Sequence, residues 1–231
     1  MIHNTFVALS EIDIEKLKKE QESIAKKAII KDCLPSKVKT IGGFDVAYME
    51  EKASVSGLVM NFENFDIVDS VNFKASVKFP YVPTFLYYRE GRLIIKAYRK
   101  LKIKPEVIFL NGHGIAHPLK AGLATHVGVL LNKPTIGVAK RKLVGEIGNF
   151  ENDVAPLFFE GKQVGWILKR KDASIYISPG HMISVEKALE MVMKSIKNNL
   201  PEPLRIAHQN ARLNISEYKN KNYLSKFALF L

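Results

Sequence analysis

The sequence is short of three things. It has one cysteine, Cys33, so no internal disulfide can close and no thiolate zinc cage can assemble. A reducing compartment is the natural setting for such a chain, and the expected location is the cytoplasm. No stretch of about eighteen apolar residues occurs, which removes a helical membrane span, and the opening MIHNTFVALSEIDIEKLKKEQ turns charged too soon for a secretory leader. Negative charge is also scarce: 35 Lys and Arg stand against 23 Asp and Glu, a formal net charge of +12. That balance favours a polyanionic partner such as nucleic acid, although a merely basic soluble protein would share it.

What is present is a chain of 231 residues, 47% of them apolar, enough for one sizeable α/β core. No internal repeat or low-complexity segment interrupts it. The expected organisation is a single domain over 1–231, with a leading helix at about 10–27 and a C-terminal tail at about 209–231. Ile12, Ile14, Leu17, Ile24 and Ala25 give the leading helix one apolar face, with Ser10 as its N-cap.

Three β-rich stretches follow, Thr40 to Tyr48, Val55 to Phe62 and Ile67 to Val77, linked closely enough for an antiparallel meander. The pattern then alternates. Thr84 to Leu101 has helical spacing, VIFLNG at 107–112 reads as a buried strand, Leu119 to Leu131 as a helix and TIGVAK at 135–140 as a strand. Parallel pairing through right-handed crossovers is expected there. Gln163 to Lys169 and Ser174 to Ser178 read as further strands, and Val185 to Asn198 as a helix ended by Pro201. A meander followed by parallel strands with crossover helices is the order of ribonuclease H-like folds, with a central mixed sheet flanked by helices.

Three polar positions fall at informative places. Asp45 lies inside the apolar first strand, in GGFDVAYME, where a carboxylate must be paired, hydrogen-bonded or metal-bound unless it caps a turn. Glu90 sits in the first crossover helix, in YYREG, where the plain alternative is a solvated residue paired with Arg89 or Arg92. Asn111 ends the fourth strand, at the carboxyl edge where α/β sheets place ligands; an Asn-Gly turn is the competing reading. Oxygen donors converging from such elements suit Mg²⁺ or Mn²⁺ and phosphodiester hydrolysis by an activated water.

The segment 111–145 carries the densest signal. Gly112 and Gly114 allow close backbone approach, and His113, His117, His126, Lys140 and Arg141 supply donors and positive charge for an anion. A zinc site on His113 and His117 is a weak alternative, because Pro and Gly break the helix their spacing would need.

GGFDVAY, PYVPTFLYYREG, NGHGIAHPLKAGLATHVGVLLNKPTIGVAKRKLVG and LPEPLRIAH resemble, in order, the successive motifs of the endonuclease V family and span most of Gly42 to His208. The resemblance implies a DNA-repair endonuclease that cuts DNA or RNA at the second phosphodiester bond 3′ to hypoxanthine, leaving 5′-phosphate ends, with the preference between the two open. Mg²⁺ is the implied cofactor, with Mn²⁺ as a substitute. Asp45 and Glu90 match metal-binding carboxylates, and His208 matches a late motif position held by Asp or His. Lys140 matches the basic residue near the scissile phosphate, and His117 the motif histidine. Pro80 to Pro83 resemble the strand-separating wedge, with Tyr81 stacking where the damaged base has been withdrawn. Leu86, Gly112, Gly137 and Leu143 fall where the family forms its base pocket. Read from the residues alone, a core aromatic at Tyr81 and a plain surface charge at Lys140 are the competing alternatives.

Two positions depart from the pattern. Asn111 stands where the family has aspartate; it brings no negative charge, so metal affinity and water activation should fall. Thr84 stands where the family usually carries glycine, so its Cβ should either narrow the base pocket or alter the flexibility of the wedge, and with it base preference. The departure at Asn111 keeps a second function in play: a protein that binds inosine-containing strands with little or no turnover. In the tail, Lys221, Leu224 and Phe227 loosely resemble the spacing of a sliding-clamp-binding peptide, with Ala228 replacing the second aromatic. Packing of Tyr223 to Leu231 on the core is the ordinary expectation.

Overall fold

A computed structural model describes residues 12–170 and 173–227, with side chains to residue 216. Helix α1 spans Ile14–Lys27 and is capped by Asp13, whose side chain accepts from the Lys16 amide at 2.9 Å. Ser10, expected as the cap, lies outside the described residues, and the helix begins after it because Asp13 satisfies the free amides of the first turn.

Strands β1 (Thr40–Met49), β2 (Lys52–Asn61) and β3 (Ile67–Ser76) form the antiparallel meander. Helix α2 (Leu86–Lys100) returns the chain to β4 (Val107–Asn111), which pairs parallel to β1, and α3 (Leu123–Leu131) leads to β5 (Thr135–Ala139), parallel to β4. Strands β6 (Glu146–Ile147), β7 (Val154–Phe159), β8 (Lys162–Arg170) and β9 (Ala173–His181) extend the sheet antiparallel. The resulting order is β3-β2-β1-β4-β5-β9-β8-β7-β6, the mixed sheet expected of a ribonuclease H-like fold. Helices α4 (Val185–Ser195) and α5 (Glu202–Phe227) complete the chain, with a two-residue ladder between them. The backbone at 209–227, expected as a tail, therefore continues α5; the side chains of Lys221, Leu224 and Phe227 lie outside those described.

Both faces of the sheet are covered. Ile41, Phe109, Ile136 and Ile177 pack against Ala188 and Met191 of α4 and Leu204 and Ala207 of α5. On the other face, Phe44, Val55 and Leu110 meet Ile94, Ala97 and Tyr98 of α2 and Leu123 and Val127 of α3. Burial on two faces explains why β4 and β5 read as continuous apolar runs. Among the described residues no helix is long and apolar enough to cross a membrane.

Alternation along β1 decides what its middle residues meet. Gly43 faces α5 so closely that an added Cβ would lie 2.1 Å from the Pro203 carbonyl. Asp45, two residues on, shares that face and is aimed at the same helix. Gly43→Ala should therefore lift α5 off the sheet and destabilise the protein by about 1–3 kcal/mol. Thermal denaturation with circular dichroism checks this; an unchanged melting temperature contradicts the tight seating of α5.

Candidate metal centre and base pocket

Asp45 is 4% exposed, which makes its charge costly unless donors reach it. Two do. Asn111 at the end of β4 donates Nδ2 to Oδ1 at 3.0 Å, and His208 on α5 donates Nδ1 to Oδ2 at 2.7 Å. The mid-strand carboxylate is thus held from both sides, and neither a turn cap nor an Asn-Gly hairpin is present.

Glu90 is buried on the inner face of α2 and makes no ion pair with Arg89 or Arg92 among the described residues. Arg89 instead donates to the Phe79 carbonyl and lies over the Tyr48 ring at 4.2 Å. Burial, reinforced by the negative charge of Asp45, pushes the Glu90 carboxyl up to about 8, against smaller opposing pulls from Tyr48 and Arg89. Burial and the neighbouring Glu90 likewise push the Tyr48 phenol well above its ordinary range.

Glu90, buried beside the carboxylate of Asp45, lacks a cation's worth of charge. Among the described residues no three His, Cys, Asp or Glu side chains converge as a ready-made cage. Mg²⁺ does not ask for one, since it commonly takes one or two carboxylates and completes its shell with water and phosphate oxygens. The donor set fits such an ion. Asn111 would have to turn its amide over to offer oxygen, because its nitrogen faces Asp45.

Asn111 also lines a cavity of about 430 Å³, within the range of small-molecule sites. Tyr81, Pro83, Thr84 and Leu86 form one wall, Gly112 and His117 line it, and Lys140 and Leu143 close the far side. Gly137 lies beneath: a Cβ there would sit 2.4 Å from the Gly112 carbonyl, so backbone packs directly on backbone under the pocket. Pro80 precedes this wall and does not line the cavity. Tyr81 is 69% exposed, which excludes the core-aromatic reading, and Lys140 stands exposed at the end of β5 beside Arg141 and Lys142.

The histidines of 111–145 behave differently from the expectation that they carry positive charge. Burial drives His113 and His126 down to about 4 and lowers His117, so all three are neutral at pH 7. Cationic character at the rim comes from Lys140, Arg141 and Lys142. His113 Nε2 bonds the Arg141 carbonyl at 2.9 Å and His117 Nε2 the Thr84 carbonyl at 2.8 Å, so the two rings share no zinc. Arg141 bears out the positive charge expected of it beside Lys140, whereas Tyr48 and Lys142 were not singled out from sequence; a tyrosine near the end of a strand and one more lysine after a basic pair carry no distinctive signal.

Glu90 makes stability pH-dependent. Its carboxyl titrates near 4.5 when unfolded and near 8 when folded, so the folded protein binds the extra proton between those values. Without divalent ions, stability should be greatest near pH 5 and fall as pH rises to 8, and Glu90→Gln should flatten that slope. Urea denaturation across this range decides it; parallel slopes in both proteins contradict the burial of an uncompensated Glu90.

Residues 22–209 match the family model for endonuclease V. Endonuclease V of Thermofilum pendens is 40% identical over 199 residues, covering 84% of this chain and 86% of that protein. Endonuclease V of Archaeoglobus fulgidus is 35% identical over 201 residues, covering 85% and 91%. Among solved structures, endonuclease V of Bacillus subtilis superposes with a TM-score of 0.84 at 26% identity, covering 91% of this chain and 96% of that one. Ciona intestinalis endonuclease V in complex with DNA containing an inosine followed by a ribo-adenosine superposes with a TM-score of 0.81 at 26% identity, covering 89% and 98%. With its sheet order, its paired carboxylates and these relationships in agreement, the chain belongs to the endonuclease V family of nucleases.

Proposed function

We propose that this protein uses a divalent ion, Mg²⁺ or Mn²⁺, to hydrolyse a phosphodiester bond 3′ to a hypoxanthine base held in the cavity beside Tyr81. The observation that carries this reading is Asn111, which lines the cavity and at the same time bonds Asp45, so base recognition and the carboxylate pair share a wall. DNA is the substrate favoured by what the Ciona relative binds, and inosine-containing RNA offers the same base and backbone.

Asp45 and Glu90 would hold the ion, with Asn111 and His208 beside them. When bound, the ion supplies Lewis-acid polarisation of a phosphoryl oxygen and a water of lowered pKa. His208 keeps Asp45 in its rotamer through the 2.7 Å bond. The exposed Lys140 and Arg141 offer positive charge to the phosphate at the cavity mouth. Tyr81 stacks in the gap left by the withdrawn base. Gly112 and Gly137 keep the floor free of side chains, so backbone groups read the base edge. His117 braces the opposite wall through Thr84, with its other ring nitrogen accepting from the Leu119 amide at 3.2 Å.

Flanking nucleic acid has a track along α2. Arg92, Lys96, Arg99 and Lys100 are its exposed residues, and none ion-pairs with a carboxylate among the described residues. Lys96 and Lys100 rest over the Phe73 ring at 5.4 and 5.9 Å, which presents their ammonium groups on one side. Replacing Arg92, Lys96 and Lys100 by Gln should weaken inosine-containing and undamaged strands alike, and lower the salt slope of binding by about 0.7–0.9 per lost phosphate contact. An unchanged slope contradicts this track.

The reaction is tested on matched strands, DNA and RNA, with and without inosine. Mg²⁺-dependent cleavage confined to the inosine strands is expected, and Asn111→Asp should raise it by about tenfold or more as the missing charge returns. Absence of any Mg²⁺-dependent cut by either protein would sink the nuclease reading. Selective binding without a cut would leave a lesion-binding protein, and Tyr81→Ala should then abolish the selectivity.

A further inference from the structure

Thr84 has φ of +70°, a left-handed conformation that is strained for a β-branched residue. It sits in the cavity wall, directly after Pro83 and ahead of the first turn of α2. Such strain persists only where surroundings over-determine it. Two buried donors do so here. His117 Nε2 reaches the Thr84 carbonyl at 2.8 Å, and Gln21 Nε2 of α1 reaches the same oxygen at 2.7 Å. His117 accepts from the Leu119 amide at Nδ1, so its proton is on Nε2 and it is a true donor to that carbonyl. Gln21 is 1% exposed and its Oε1 has no partner among the described residues, so there the amide is buried with its acceptor unmatched. A second tie runs between the same elements, from the Tyr88 hydroxyl on α2 to the Leu17 carbonyl on α1 at 2.9 Å.

We infer that Gln21 is a positioning residue for base selection: α1, through this amide, latches the Thr84 corner and fixes the wall of the base cavity. The inference rests on the base-pocket reading above for its functional half. Gln21 lies just ahead of the segment matched by the family model and was not singled out from sequence, although Leu17, Gln21 and Ile24 share one helix face at spacings of four and three. The mechanism is steric. With one of its two donors gone, the Thr84 peptide relaxes toward negative φ, and the adjacent Pro83 and Leu86, both lining the cavity, shift with it. Glycine at this corner would hold positive φ without a latch, because it has no Cβ to clash. The amide of Gln21 thus supports a conformation that threonine by itself disfavours.

Two measurements on the full chain test this. In the free protein, hydrogen exchange is followed at the Phe85 and Tyr88 amides, which bond the Val82 and Phe85 carbonyls at 3.0 and 3.1 Å. With oligonucleotides, the ratio of affinities for an inosine-containing strand and its undamaged match is measured in Ca²⁺. Gln21→Ala should speed exchange at both amides and lower the ratio by roughly three- to tenfold, the range of one lost hydrogen bond. Gln21→Glu, which keeps the shape and loses the donor, should do the same. Adding Thr84→Gly to Gln21→Ala should restore the ratio to within about twofold of the starting protein, since the glycine corner needs no latch. A purely structural role for Gln21 predicts no such restoration. If Gln21→Ala folds poorly, Thr84→Gly in the otherwise unchanged chain still decides: it should make a later Gln21→Ala nearly silent in both readouts. Unchanged exchange in Gln21→Ala overturns the latch. Faster exchange with an unchanged ratio overturns its role in selection. If the starting protein shows no inosine preference, the base-pocket reading fails and the claim about selection falls with it, while exchange still decides whether the latch exists.

Discussion

The site is organised around the cost of burying Asp45. A carboxylate on a strand covered on both faces must be met by donors, and the fold brings them from places far apart in sequence: Asn111 at 66 residues' separation and His208 at 163. Each of those meetings needs a structural cause. Parallel pairing of β1 and β4 puts Asn111 at the strand end beside Asp45, and the close seating of α5 on Gly43 puts His208 opposite it. Glu90, placed by the first turns of α2, is then a second buried carboxylate with too little compensating charge, and its raised proton affinity records the deficit. A proton or a divalent ion can supply the missing charge, so the two should compete for this site.

The neighbouring cavity depends on a different balance. Its floor is backbone, made possible by the contact of Gly137 with Gly112, and its rim is cationic through Lys140, Arg141 and Lys142. One wall is the strained Thr84 corner, held by neutral donors from α1 and from the loop before α3. The buried histidines serve this framework as neutral hydrogen-bonding groups, which is what burial does to imidazole near pH 7.

Much of this was legible in the sequence because each feature had a local physical signature. Unbroken apolar runs marked β4 and β5, short links marked the meander, and Asp45 stood out as a lone charge among apolar neighbours. Other features had no such signature. Strand β7 contains Pro156, which argues against a strand, and it is tolerated because β7 lies near the sheet edge. The residues of α5 beyond 209 are mostly polar and lack an apolar stripe, so they read as a tail. The roles of His117 and Gln21 depend on a single carbonyl, that of Thr84, whose orientation follows from a left-handed φ that no sequence pattern announces at a threonine. The Asn111 substitution was visible at once, but that its nitrogen faces Asp45 is a matter of geometry alone.

On the proposed reading, Asp45 and Glu90 together accept one divalent ion beside the cavity. Anomalous diffraction from crystals soaked in Mn²⁺ tests it most directly. A manganese peak within about 2.0–2.3 Å of a carboxylate oxygen of each residue is predicted, with the Asn111 amide turned to present its oxygen. At saturating Mn²⁺, a peak elsewhere, or none, with Asp45 still bonded only to Asn111 and His208, would contradict the account.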